Sequence, residues 1–183
     1  MNSVLIAIRP QLVEKIASGQ KTIEVRKTAP KEVPFKCYIY ETKGQYVKFT
    51  HGAHTKHGYG RGKVIGEFIC DKVYSIKNRG SSFSVADEEQ SVTNEIARQS
   101  CLYYDDMVSY FGNKDGFGWH ISALKIYDTP KELSEFSRPC SYSGLCFSCK
   151  RTSFKKDGNL LCNTKITRPP QSWMRVEDLG EEK

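Results

Sequence analysis

The stretch Ser18-Gly19-Gln20-Lys21-Thr22-Ile23-Glu24-Val25-Arg26 constrains this chain most, because it sets a helix end, a tight turn and the facing of a strand in quick succession. Gly19 supplies the left-handed backbone that commonly closes a helix. Beyond it, charged and apolar side chains alternate, so Ile23 and Val25 share one face of a strand while Glu24 and Arg26 share the other. Lys21 stands at the mouth of that strand. Two cations and a carboxylate thus gather beside a turn. Such a group is either a solvated strand edge kept soluble by its charges or the wall of a binding cleft.

The flanking sequence supplies elements on both sides. Val4 to Ile8 is a continuous apolar run that predicts a buried strand, ended by Arg9-Pro10. Pro10 suits the first turn of a helix, and Leu12, Val13, Ile16 and Ala17 fall at helical spacing up to Gly19. Arg9 either points into the same cleft as Lys21 or is an ordinary surface arginine. Val33 to Thr42 alternates as a half-buried strand. Lys63 to Ile76 predicts the longest strand, with Gly66 marking a bulge or a close backbone approach. Glu67 on it is an edge-facing or a cleft carboxylate. Residues 78–90 are polar and loop-like, and short helices are expected over Val92–Ala97 and Asp105–Phe111. Phe117 to Tyr127 predicts an aromatic-rich strand, on which His120 is a satisfied strand histidine.

The pattern Gly-x-Lys-x-x-Glu-x-Arg, carried by Gly19, Lys21, Glu24 and Arg26, resembles the signature of the ASCH domain. Gly118-Trp119-His120-Ile121-Ser122 resembles a late strand of bacterial and phage ASCH proteins. Arg168-Pro169-Pro170-Gln171-Ser172-Trp173, followed by Val176-Glu177, resembles their closing segment. The resemblance implies an α+β chain: a PUA-like small β-barrel flanked by short helices over residues 1–178, with an acidic tail at 179–183. It also implies a nucleotide-binding cleft lined by Lys21 and Glu24, to which Arg26 and Arg9 are natural additions.

Two segments fall outside that likeness. Residues 43–63 hold five glycines, three histidines and five basic residues without an acid, which reads as a long functional loop. Its Tyr46, Phe49 and Tyr59 offer stacking faces. His51, His54 and His57 there are solvent-exposed loop histidines or a zinc or copper site. Residues 138–165 form a cysteine-rich insertion near the C-terminus, with Cys140, Cys146, Cys149 and Cys162 spaced as an all-cysteine zinc site. So little apolar mass lies between them that a metal would have to supply folding energy. The alternatives are an iron–sulfur cluster or unligated thiols.

Charge gives the partner class. The chain carries +7 at neutral pH, yet residues 43–63 alone sum to +5 and residues 138–168 to +6. The positive excess therefore sits in two segments, the footprint expected for a nucleic-acid partner, with Tyr142, Phe147 and Phe154 available to stack on bases. Nothing approaches the ~20 apolar residues of a membrane span. Seven cysteines, an odd number without an export signal, point to reduced thiols or metal and a cytoplasmic location.

The main functional reading is an RNA- or nucleotide-binding module. The alternative is a hydrolase acting on a modified nucleoside, similar to the ASCH amidohydrolases that deacylate N(4)-acetylcytidine, or a ribonuclease, with Lys21 and Glu24 as its catalytic pair. In the amidohydrolases a threonine nucleophile occupies the place held here by Glu24. Thr22 shares the face of Glu24 and is the displaced hydroxyl to consider, and Ser100 falls where the family's glutamate would stand. A third class is an adaptor that uses the cysteine insertion as its contact surface.

Overall fold

The computed structural model describes residues 1–49, 55–80, 82–140, 152–154, 160–162 and 164–180. The chain begins with β1 (Asn2–Ile8), α1 (Pro10–Ala17), β2 (Ile23–Arg26) and β3 (Phe35–Glu41). It continues through β4 (Gly44–Phe49), β5 (Thr55–Gly60), β6 (Val64–Cys70), β7 (Val73–Asn78) and β8 (Phe83–Val85). Two helices follow, α2 (Gln90–Ser100) and α3 (Tyr104–Phe111), then β9 (Gly116–His120) and β10 (Ser122–Lys131). The chain closes with β11 (Thr152–Phe154), β12 (Leu160–Cys162) and β13 (Trp173–Val176).

One five-stranded sheet runs in the order β10-β6-β3-β1-β13, and a four-stranded sheet in the order β2-β9-β7-β8. The apolar run at Val4–Ile8 becomes the interior strand β1, parallel to β3 and antiparallel to β13. Both its faces are covered, as continuous hydrophobic strands require. Val4, Ile6 and Ile8 pack with α1 and Trp119, while Leu5 packs on the opposite face with Tyr38, Phe136 and Val176.

Two expected strands are each split in two. Residues 63–76 break at Asp71-Lys72, where the chain leaves the first sheet for the second. Residues 117–127 break at Ile121 and cross the other way, with Ala123 at φ +45°. Corners of this kind let consecutive strands pass from one sheet to the other around one core, giving an α+β arrangement of two sheets. The corners touch, since Asp71 Oδ1 lies 2.6 Å from His120 Nδ1. The bulge expected at Gly66 is present: Ile39 pairs Gly66 but Tyr40 pairs Val64, leaving Ile65 extra.

Within residues 43–63, expected as a loop, residues 44–49 and 55–60 form the antiparallel pair β4 and β5. Its glycines hid the strand signal by interrupting the alternation, yet they pair with each other and with an aromatic: Gly44 faces Gly60, and Tyr46 faces Gly58. Residues 78–90, expected as loop, include the short β8 paired with β7. Of the cysteine insertion, β11 and β12 form a second hairpin that places Cys162 opposite Thr152. No helix among the described residues is long and apolar enough to cross a membrane.

Candidate functional site in the cleft beside β2

Pro10 opens α1, whose first N–H groups, from Leu12 and Val13, donate to the Arg9 carbonyl at 3.0 Å. Gly19 ends it at φ +74°, donating its N–H to Ile16, which turns Lys21 into the interior. The alternation of β2 holds, but its consequence does not: all four of its residues are buried, the charged pair included. The face that sequence assigns to water turns instead toward the first sheet, where Arg26 meets the Ala7 carbonyl of β1, while Ile23 and Val25 on the other face pack with Met107 and Phe111 of α3.

Lys21 is 1% exposed. Its ammonium donates to the Ile23 carbonyl at 2.8 Å and to the Ser100 carbonyl at 2.6 Å. The second of these is an open carbonyl at the C-terminus of α2, where a cation is favoured. Lys21 Nζ also lies 3.2 Å from Glu24 Oε2, and Arg26 Nη2 lies 2.9 Å from Glu24 Oε1. Arg26 Nη2 further donates to the Ala7 carbonyl at 2.7 Å. The Lys21–Glu24 contact attracts by charge but is misaligned, so Glu24 Oε2 has no hydrogen-bond donor and Arg26 Nε has no acceptor. Removal of such groups from water without partners is costly. The cluster also keeps one uncompensated positive charge.

These residues line a cleft of about 620 Å³ that also takes in Arg9 from the start of α1, Lys27 after β2, and Asp106 and Tyr110 from α3. Its lining holds the cations Arg9, Lys21, Arg26 and Lys27 against the carboxylates Glu24 and Asp106. Asp106 is already engaged, accepting from the Tyr103 N–H at 3.0 Å to cap α3. Lys27 Nζ stands 5.1 Å from the centre of the Tyr110 ring. Pro170 and Gln171 close the far wall, held by the Ala7 N–H donating to the Ser172 carbonyl at 3.0 Å.

The four residues singled out in sequence, Arg9, Lys21, Glu24 and Arg26, therefore meet in one cleft, with Arg9 exposed and the other three buried. Thr22 is not among the residues that line it. Ser100 meets Lys21 through its carbonyl, while its hydroxyl donates to the Ala97 carbonyl at 2.7 Å. Glu67 accepts from the Tyr127 hydroxyl at 2.5 Å and lies outside the cleft. His120 is partnered by Asp71, as a strand histidine would be. Tyr110, Asp106 and Lys27 were missed: α3 and the turn after β2 carry no signal that they converge on Glu24, whereas Pro170 and Gln171 lie in a segment the resemblance had marked.

Of the four proposed metal ligands, Cys140 is exposed and Cys162 lies on β12, while Cys146 and Cys149 fall outside the described residues. His51 and His54 also fall outside them, and His57 lies on β5. Among the described residues no group of three or more His, Cys, Asp or Glu is placed to hold a metal ion. Cys37 and Cys70 are packing groups: burial pushes the Cys37 thiol well above its usual range and Cys70 up to about 12, so neither offers a thiolate.

No family model matches the sequence, and no curated protein does. Among solved structures, the chain is similar to an ASCH protein from Zymomonas mobilis at 16% identity and a TM-score of 0.54, covering 96% of this chain and 87% of that one. A serine-to-alanine variant of that protein gives 15% identity and a TM-score of 0.54, covering 96% and 88%. The two-sheet architecture, the helix that turns at Gly19 and these neighbours agree: the chain has the α+β, PUA-like fold of the ASCH proteins.

Proposed function

We propose that this protein binds RNA or a nucleotide in the cleft beside β2. The observation that carries the reading is the buried cluster beside a cleft of about 620 Å³, in which Glu24 Oε2 has the Lys21 ammonium at 3.2 Å but no aligned hydrogen bond and Arg26 Nε has no acceptor. That volume lies within the ~300–1,000 Å³ of small-molecule pockets. A carboxylate oxygen only accepts and a guanidinium N–H only donates, so the pair matches a base edge that presents an amino group next to a ring nitrogen. Tyr110 offers a ring for stacking. The exposed Arg9 and Lys27 serve the phosphate, and the excess of cations in the cleft favours an anionic ligand. Lys21, bound to two carbonyls and 3.2 Å from Glu24 Oε2, is a positioning residue that holds Glu24 in place.

Calorimetric titration with cytidine and adenosine monophosphates tests this reading. Arg9→Ala and Lys27→Ala both alter exposed residues, so each is expected to weaken binding several-fold with unfolding unchanged. Equal affinity for the intact protein and both variants would remove the cleft from the argument.

Hydrolysis is the second reading, carried by the same Glu24 carboxylate, 3.2 Å from the Lys21 ammonium, acting as a base toward water. The displaced hydroxyl Thr22 stands outside the cleft, so this route would use Glu24 as a base rather than a nucleophile on β2. Chromatography after incubation with N(4)-acetylcytidine, and with an RNA oligonucleotide, separates the readings: cytidine or shortened RNA that appears only with Glu24 intact makes the protein an enzyme. We also propose that Cys140, Cys146, Cys149 and Cys162 hold one zinc ion. Elemental analysis of anaerobically purified protein should find about one equivalent per chain, and its absence ends that proposal.

A further inference from the structure

A second concavity of about 690 Å³ lies beside the first. Thr42 lines both. The same segment also walls both, Thr167 and Pro169 facing the second pocket and Pro170 and Gln171 the first. Consecutive residues lie ~3.8 Å apart, so the two spaces meet across a narrow ridge. The ridge is built to stay in place. A side chain at Gly60 would strike the Thr42 carbonyl at 1.9 Å and Pro10 at 2.5 Å, so the base of the β4–β5 hairpin is seated directly against Thr42 and α1. Glu41, buried at the end of β3, accepts from the N–H of Arg61, the residue after β5, at 2.7 Å and ties the same strand end down a second time.

We propose that the two concavities are linked nucleotide subsites, and that the ligand is a single-stranded RNA of at least two nucleotides crossing the ridge at Thr42. The inference rests on the cleft reading above. Charge supports this occupant. Arg9 lines the first pocket and Lys43 the second, both exposed, and Arg168 is exposed between Thr167 and Pro169. A strand that crosses here meets a cation on each side, with the exposed Arg168 in the segment that walls the second pocket, which is how a backbone is tracked. The floor of the second pocket is different: Glu132 is neutralised by Lys63 at 2.7 Å, and Tyr40 and Ile166 contribute apolar surface. Such a pocket suits a base and its sugar rather than a phosphate. The phosphodiester accordingly lies over the ridge, and a free nucleoside fills only the first space.

The test compares cytidine and adenosine monophosphates with their tetranucleotides in calorimetric titrations over a range of salt. A tetranucleotide is expected to bind at least tenfold more tightly than its monomer. Thr167→Trp, which fills the second pocket from an exposed position, is expected to bring the tetranucleotide down to the monomer's affinity and leave the monomer unchanged. Unaltered monomer binding also reports that the variant is folded. Lys43→Ala is expected to lower the tetranucleotide's salt slope by about 0.7, one phosphate's worth for a single strand, and to leave the monomer's slope alone. Equal affinity of monomer and tetranucleotide, or a tetranucleotide indifferent to both substitutions, overturns the second subsite while the cleft reading stands. Failure of the intact protein to bind any of the four ligands overturns both.

Discussion

Lys21 with Glu24 and Arg26 of β2 forms a buried charge cluster, and Lys36, Tyr38, Glu67 and Asp178 around β3 form a second one that stays partly open to water; the two are finished to different degrees. In the second, Lys36 Nζ lies 3.0 Å from Asp178 Oδ1, and the Tyr38 hydroxyl donates to the same oxygen at 2.6 Å. That hydroxyl in turn accepts from the Leu179 N–H at 3.0 Å, so none of the cluster's buried atoms lacks a partner and the C-terminal segment is clasped to the sheet. In the first, an acceptor and a donor are left over beside a cleft. A complete network holds a fold together. An incomplete one with space beside it is where a ligand's groups would complete the count.

The largest expected effect comes from Lys21→Met, which leaves Glu24 with one counter-charge and the Ser100 carbonyl without a donor. Removal of one member of a buried ion cluster costs about 3–5 kcal/mol, read as a shift in the denaturant midpoint. A loss below ~1 kcal/mol would mean that water reaches the cluster and that it is not a buried site at all.

Asp178→Asn comes next, at about 1–2 kcal/mol, because its partners are charged or phenolic but the carboxylate is partly exposed. Nucleotide affinity should not change, and a change would break the division between the two clusters. The same residue gives a pH signature. Burial acts to raise the Asp178 carboxyl, but the Tyr38 hydroxyl and the Lys36 ammonium outweigh it and hold the group below its usual 3.8. A depressed folded value means stability that is present above the unfolded value and drains as pH falls through the folded one. The intact protein should therefore lose stability below about pH 4 more steeply than Asp178→Asn.

The smallest effect belongs to the corner pair. His120 donates to Asp71 and lowers its carboxyl, again stabilising above the ordinary carboxylate range and fading in acid. Both side chains are substantially exposed, so His120→Asn should cost under about 1 kcal/mol in thermal or denaturant unfolding. A larger cost would show that the two corners, and not the core between the sheets, govern stability.

Sequence reading reached the start of the fold well and its second half less well. The Val4–Ile8 strand, the helix from Pro10 and the turn at Gly19 follow from local chemistry: a run of β-formers, a proline suited to a first turn, and a glycine free to take positive φ. The strands at 44–49 and 55–60 were illegible because their glycines interrupt the alternation and their spacing mimics a loop, and Gly60 gains its reason only from its fit against Thr42 and Pro10. The two long strands were overcounted because alternation continues through a corner, and only the partner sheet decides where one strand stops. For the site, the residues on β2 were legible and their neighbours were not, since Tyr110 and Gln171 line the same cleft from positions far apart along the chain.

By itself the sequence determined that Lys21, Glu24 and Arg26 stand together at a turn, and that basic charge gathers in two segments. Strand period and composition are local properties. Only the tertiary structure decided that the polar face of β2 turns away from water, because it faces the first sheet, where Arg26 reaches the Ala7 carbonyl of β1. Burial is a property of what packs on a strand, and alternation within the strand cannot report it.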